Sequence, residues 1–358
     1  PPGGVASLII PADCQWRPGP EPLAITPSFA LKEPSNEALQ AAARQLRKGQ
    51  AGILLGGNAL TASGLHAAKR VSDATGSSVW IETFPPRQEC GRHMPIFPAL
   101  PYFPDQACEA LANVKGLVLA GAREPIAFFG YQGQPSRFVP EGAALHMLAD
   151  PGKGVDAALA LEALVQELDA PATVMPSRDI QAYAPTNQQL DPESLCRTVA
   201  ALTPENAIVV NEAATIGFTW NAVHSSNAKP HTRLFTTGGA IGQGLPNALG
   251  AAIACPDRRV IALQADGSGL YTLQALWSMA RESANATIVV CANRRYRILQ
   301  AELARAGIEK PCPKAWGLTD LTRPEMDWTL LAKGFGVPAC SVQTDSELGD
   351  ALERALSE

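Results

Sequence analysis

The pattern of apolar and polar positions along the chain alternates between two periods. Ala38 to Leu46 spaces its apolar residues along one helix face and ends in Arg47 and Lys48. Ala51 to Leu55 then runs unbroken and apolar into Gly56-Gly57. The first spacing predicts an amphipathic helix, the second a strand buried on both faces. The alternation continues with a helix through Gly64 to Ala74 and a strand at Ser78 to Glu82. A helix over Gln106 to Asn113, strands at Gly116 to Ala120 and His146 to Ala149, and a helix over Val155 to Leu168 follow. Strands alternating with helices predict a parallel α/β sheet covered on both faces, here a first domain over residues 35–170. Upstream, Val5 to Pro11 reads as a short strand and Cys14 to Pro34 as a Pro-rich linker, so residues 1–34 stand apart.

Ala170 to Asp191 is polar and contains Pro, and residues 171–190 are predicted to link two domains. Beyond them come a helix over Glu193 to Leu202 and a strand at Ala207 to Val210 that runs into Asn211-Glu212. A small-residue helix over Gly242 to Ala254 tolerates Pro246 only in its first turn. Val260 to Gln264 reads as a strand, Leu270 to Arg281 as a helix, and Thr287 to Cys291 as a strand. Trp328 to Glu358 reads as helix, short strand, helix. Residues 191–358 therefore form a second doubly wound α/β domain, with no repeat of 20–50 residues in the chain.

Composition narrows the class. The 358 residues are 46% hydrophobic and 18% charged, which excludes a disordered or fibrous chain. A net charge of −5 without a basic run argues against a nucleic-acid grip. No run of about 18 apolar residues could span a membrane. Eight cysteines fall in no C-x-x-C or zinc spacing and read as reduced thiols of a cytoplasmic protein. The opening Pro1-Pro2-Gly3-Gly4 has no basic-then-apolar segment and reads as part of something longer.

In open parallel sheets, ligands bind beyond the carboxyl ends of the strands. In the second domain those ends carry Asn211 to Thr215, Ala265-Asp266-Gly267-Ser268 and Ala292 to Tyr296, and the Gly-rich turn Thr237 to Gly244 opens a helix. At Asp266-Gly267-Ser268 a helix N-terminus would attract phosphate while the carboxylate repels it, and a divalent cation resolves the conflict. Asn293, 27 residues on, lies one helix and one strand away and offers a neutral oxygen; the Arg295 carbonyl offers a third. Alone, Asp-Gly-Ser is an ordinary helix-capping turn; the strand, turn, helix, strand, Asn arrangement is far more specific.

Gly238-Gly239-Ala240-Ile241-Gly242-Gln243-Gly244-Leu245-Pro246, with Ala265-Asp266-Gly267-Ser268 and Asn293, resembles the pyrophosphate domain of thiamine-diphosphate enzymes. The likeness is to the acetolactate synthase and benzoylformate decarboxylase branch. Ala265 and Ala292 depart from the family's Gly-Asp-Gly-Ser and Asn-Asn at positions that supply no metal ligand. The resemblance extends over the chain: residues 5–13 are similar to the last strand of the family's pyrimidine domain, and residues 35–170 to its central domain.

The resemblance implies thiamine diphosphate and Mg²⁺ as cofactors and decarboxylation or carboligation of 2-oxo acids. Asp266, Asn293 and the Arg295 carbonyl would hold Mg²⁺. Gly267, Ser268, Tyr296 and Thr215 would meet the diphosphate. The Gly239 carbonyl would accept from the aminopyrimidine, and Ile241 would be the apolar wedge that bends the cofactor. The family's activating Glu sits on the pyrimidine domain of a second subunit, so a homodimer or homotetramer is implied. No Glu here takes that role, and this chain alone is expected to be inactive. Some acetolactate synthases hold FAD in the central domain, and Gly56-Gly57 could approach it there, although a tight turn explains them equally well. His93 falls near a place where benzoylformate decarboxylases use a catalytic His, but reads as a loop residue. A nicotinamide or flavin loop is disfavoured in the second domain, because Gly239-x-x-Gly242-x-Gly244 reverses the dinucleotide order. A degenerate, non-catalytic binding homologue would not be expected to keep Asp266, Gly267, Ser268 and Asn293.

Overall fold

A computed structural model describes residues 7–19, 21, 31–175, 182–308 and 310–357, with the side chains of 224–227 outside the description. The chain forms two compact units, one of residues 1–82 and 98–172, the other of residues 83–97 and 173–358.

In chain order the elements are α1 (Ala12–Gln15), α2 (Asn36–Arg47), β1 (Ala51–Leu55), α3 (Ala62–Thr75), β2 (Ser78–Ile81), β3 (Arg87–Cys90), α4 (Pro104–Leu111), β4 (Gly116–Ala120), β5 (Ala144–Ala149) and α5 (Ala157–Glu167). There follow α6 (Pro192–Leu202), β6 (Ile208–Glu212), α7 (Thr215–Asn227), β7 (His231–Phe235), α8 (Gly244–Ala254), β8 (Val260–Ala265), α9 (Asp266–Gly269), α10 (Ala275–Arg281) and β9 (Ala286–Cys291). Last come α11 (Arg297–Arg305), α12 (Pro313–Gly317), α13 (Trp328–Gly334) and α14 (Asp345–Ser357).

The first sheet is parallel throughout, in the order β2-β1-β4-β5. β1 and β4 sit in its middle, and all ten of their residues are buried. Helices start where polar side chains take up free amides: Ser35 Oγ accepts from Ala38, and Asp156 Oδ1 from Ala158 and Leu159. The second sheet runs β3-β7-β6-β8-β9. Its four later strands are parallel, and β3 joins the edge antiparallel to β7. Separate apolar clusters, one around Trp220, Val209 and Leu263, the other around Leu245, Ala262 and Leu276, cover it. The α/β class read from the sequence holds. No helix of the described residues is long and apolar enough to cross a membrane.

Several elements correct the sequence reading. Val5 and Ala6 lie outside the described residues, and Ser7 to Pro11 form no strand. The helix expected from Leu270 begins only at Ala275. Residues 270–274 are shaped by the glycine loop instead: Thr272 Oγ1 donates to the Gly242 carbonyl at 2.9 Å. No strand forms between α13 and α14; Pro338 lacks an amide, and Thr344 makes only a single bridge with Gln189. β3 and β7 lack an alternating apolar pattern. Polar pairs hold them together: Arg233 Nη2 donates to Gln88 Oε1 at 2.5 Å and Thr232 Oγ1 to Glu89 at 3.1 Å. The Arg233 guanidinium is buried against Phe235, 5.3 Å from its ring centre, and also reaches Asn221.

The linker is pinned to the second unit at α14. Asp345 Oδ2 accepts from the Thr186 amide and hydroxyl, both at 2.8 Å, and Oδ1 from the Gln188 amide at 3.0 Å. Those donors hold the Asp345 carboxyl below its ordinary range.

In the first sheet the chain leaves β1 for β2 on one side and later returns to β4 on the other. At that reversal Glu82, just past β2, turns its carboxylate onto the Gly57 amide (3.3 Å). Burial raises its pKa from 4.5 to about 7, against the pull of the Gly57 amide and Arg123. A carboxyl whose pKa rises on folding stabilises the protein when protonated and loses that contribution as pH climbs from 4.5 through about 7. Glu82→Gln should therefore melt level with the wild type near pH 4.5 and above it at pH 8, by on the order of 1–2 kcal/mol. Parallel melting profiles across that range would show that Glu82 is not the buried acid described.

Candidate functional site

In the second sheet the chain steps from β6 to β7 on one side, then crosses to β8 on the other. The tips of β6 and β8 thus flank the topological switch point, where doubly wound sheets open their binding crevice. β8 is buried at all six positions and delivers Asp266 at its end, 2% exposed. Burial raises the Asp266 pKa, and backbone donors oppose the shift. Oδ1 accepts from the Gly267 amide at 2.9 Å and Oδ2 from the Arg294 amide at 2.6 Å. Arg294 adopts φ +59°, so the turn after β9 folds back towards the β8 tip. One buried carboxylate stitches two neighbouring strand ends.

The remaining residues predicted for the site fall at the same sheet edge. Asn293 Oδ1 accepts from the Arg295 amide at 3.0 Å, and the Arg295 carbonyl accepts from the Arg297 amide at 3.0 Å. The Tyr296 hydroxyl donates to the Gly267 carbonyl at 3.4 Å. Gly267 is expected to meet the diphosphate, and its close neighbour is Tyr296: a Cβ there would lie 2.5 Å from Tyr296 Cε1. The Ser268 hydroxyl is turned inward. It takes a hydrogen bond from Gln264 Nε2 at 2.7 Å and donates to the Ala265 carbonyl at 3.2 Å, so reaching a diphosphate would mean leaving that network. Thr215 opens α7 just past β6. Gly239 and Ile241 stand exposed on the loop before α8, Gly239 with φ +70°. His93 is exposed in the segment after β3, where Arg92 Nε reaches its ring at 3.0 Å.

Two participants were given no role in the sequence reading. Glu212 ends β6 and is 3% exposed; its carboxylate accepts from the Gly242 amide at 2.5 Å and from the Gly244 amide. Gln243 spans the loop from within, donating to the Thr237 and Ala240 carbonyls at 2.9 and 2.8 Å. The signal was present: a carboxylate at a strand tip, followed by a Gly-rich turn opening a helix.

Three comparisons bear on this arrangement. The sequence profile for thiamine pyrophosphate enzymes, C-terminal TPP binding domain, matches residues 216–358. A Mycobacterium tuberculosis protein named for an acetolactate synthase large subunit, IlvX, is 44% identical over 99% of this chain and 68% of its own length. The chain belongs to the thiamine-diphosphate-dependent enzymes of the acetolactate synthase and benzoylformate decarboxylase family. Within that family, benzoylformate decarboxylase of Pseudomonas aeruginosa is 30% identical over 100% of this chain and 69% of its own. The fold is that of 4-hydroxybenzoylformate decarboxylase from Rhodococcus jostii, with TM-score 0.75 at 24% identity, 93% of this chain and 64% of the other. Benzoylformate decarboxylase from Polynucleobacter necessarius gives TM-score 0.75 at 20% identity, 96% of this chain and 66% of the other. The chain spans about two thirds of the length of these relatives.

The residues present fit the family's metal. Among the described residues no group of three or more His, Cys, Asp or Glu could hold an ion. One carboxylate, one amide oxygen and one carbonyl are instead the sparse, hard donor set that Mg²⁺ takes alongside phosphate and water. The glycines at the first sheet's switch point, where FAD could approach, face their own chain. A Cβ on Gly56 would lie 2.8 Å from both the Gly121 carbonyl oxygen and Glu82 Oε1, and the Gly57 amide already serves a carboxylate. These glycines form a tight turn against their own chain.

The Gly267–Tyr296 packing can be tested by substitution. Gly267→Ala should cost about 1–3 kcal/mol by displacing the ring. The same change in a Tyr296→Ala background should cost less than half as much in a thermal-melting cycle. Equal costs in both backgrounds would show that the ring is not the neighbour that excludes a side chain at 267.

Proposed function

We propose that this chain holds the cofactor end of a thiamine-diphosphate- and Mg²⁺-dependent enzyme that decarboxylates a 2-oxo acid and joins the product to a second one, as acetolactate synthases do. The observation that carries the reading is the Asp266 carboxylate bridging the β8 tip and the turn at 293–296. Asp266, Asn293 and the Arg295 carbonyl would hold Mg²⁺. Thr215, Gly267, Ser268 and Tyr296 would line the diphosphate. The exposed Gly239 carbonyl would accept from the aminopyrimidine, and exposed Ile241 would press on the cofactor from below. Bound thiamine diphosphate supplies the electron sink that lets a 2-oxo acid lose CO₂. The protein's share is to neutralise the diphosphate through the ion and to fix the cofactor's bend. We infer that the activating Glu comes from the pyrimidine domain of a second copy, in a cytoplasmic homodimer or homotetramer.

Release of a simple aldehyde, as benzoylformate decarboxylases achieve, is the second reading. The 30% identity to such an enzyme over the whole chain favours it. Product analysis with pyruvate and with benzoylformate, run on the assembly that includes the Glu-bearing pyrimidine domain, separates the two: an acetohydroxy acid supports the first, an aldehyde the second.

Binding tests the cofactor assignment apart from activity. Calorimetric titration of the wild type with thiamine diphosphate should give heat only when Mg²⁺ is present. Asp266→Ala and Asn293→Ala should each weaken binding by about 10- to 100-fold or more. Binding independent of Mg²⁺, or unchanged in both variants, would overturn the assignment.

A further inference from the structure

We propose that Glu212 is the positioning residue that sets the shape of the glycine loop and so places the Gly239 carbonyl and Ile241 for the cofactor. The consequence for the cofactor rests on the function proposed above; the anchoring itself does not.

Burying a carboxylate is costly unless its charge is answered. Among the described residues Glu212 makes no ion pair, although it is 3% exposed. Its charge is met instead by backbone. One oxygen accepts from the Gly242 amide at 2.5 Å, the other from the Gly244 amide, and Gly244 is the first residue of the eleven-residue α8. Amides at a helix N-terminus answer negative charge both by hydrogen bonding and through the helix dipole.

The anchor lies on one side of a loop with few alternatives. Gly242 sits at φ +93°, and its carbonyl accepts from Thr272 at 2.9 Å. A Cβ on Gly244 would meet the Glu212 side chain at 2.8 Å. Gln243 ties the loop's interior to the Thr237 and Ala240 carbonyls. The Ser268 hydroxyl lies 3.4 Å from the Glu212 carbonyl, linking the anchor to the Asp266 turn. Gly239 and Ile241 project from between these ties.

The residue type matters. Two amide donors need two acceptor oxygens, and Gln offers one acceptor while turning an NH₂ against the second N–H. Asp keeps both oxygens but is one methylene short. Both carboxylate oxygens of Glu212 are taken up by loop amides, so its effect passes through the loop.

The direct test uses the whole chain labelled with ¹⁵N-glycine. In the wild type without cofactor, the Gly242 and Gly244 amides should exchange with solvent at least tenfold more slowly than that of exposed Gly238. Comparable rates would overturn the anchor without any variant being made. In Glu212→Gln, exchange at Gly242 and Gly244 should rise at least tenfold while β6 and β8 keep their protection. Affinity for thiamine diphosphate with Mg²⁺ should fall at least tenfold at a temperature where far-ultraviolet circular dichroism is unchanged, and Glu212→Asp should recover part of it. Unaltered exchange, or exchange raised throughout the unit, would refute a specific positioning role. A wild type with slow Gly242 and Gly244 exchange but no cofactor binding would sink the proposed function and leave the anchor standing. Fast exchange with normal binding would do the reverse.

Discussion

A single buried carboxylate organises the second unit's open edge. Asp266 leaves the end of a wholly buried strand and has two ways to satisfy its oxygens, the amide beside it and the amide of Arg294 one strand away. Taking both draws the turn after β9 against the tip of β8, and that closure places the residues of the 293–296 turn. Asn293 and the Arg295 carbonyl arrive because they flank Arg294. Tyr296 arrives because the same turn runs on into α11 with its ring over Gly267. A desolvated carboxylate with a raised pKa and only backbone donors is also a group whose charge a divalent cation would relieve.

Three of the acidic side chains at or just past strand tips are each answered differently. Glu82 is held by one glycine amide and is pushed to about 7 by burial. Asp266 is held by two amides from different segments. Glu212 is held by two amides of one loop at the start of a helix. The number and origin of the donors separate a carboxyl that seals a turn from one that joins two strands and one that shapes a loop. The first unit's switch point is accordingly closed on itself, while the second unit's presents exposed Gly239 and Ile241.

Much of this was legible in the sequence, for a physical reason. β1 and β4 are continuous apolar runs, and β8 one broken only by Gln264, because both of their faces are covered, and their bounds were read within a residue of those observed. The meeting of the Asp266 turn with the turn after β9 was legible because strand, turn, helix, strand is a local succession. β3 was not, since Arg87 to Cys90 has no apolar alternation and is held by Arg233 and Thr232, more than 140 residues away. The start of α10 was misread because a loop contact, not helical propensity, decides the course of residues 270–274. Glu212 was seen at its strand tip but set aside as a catalyst. Its partners are backbone amides, which carry no side-chain signature.

The strand-tip pairing can be observed with Mn²⁺ standing in for Mg²⁺, in a crystal of this chain grown with thiamine diphosphate and read by anomalous scattering. One metal peak should lie in direct coordination range of the Asp266 carboxylate and the Asn293 amide oxygen, with a diphosphate oxygen on its open side. A peak bound elsewhere on the chain, or a diphosphate seated away from residues 266–268 with no metal between, would contradict it.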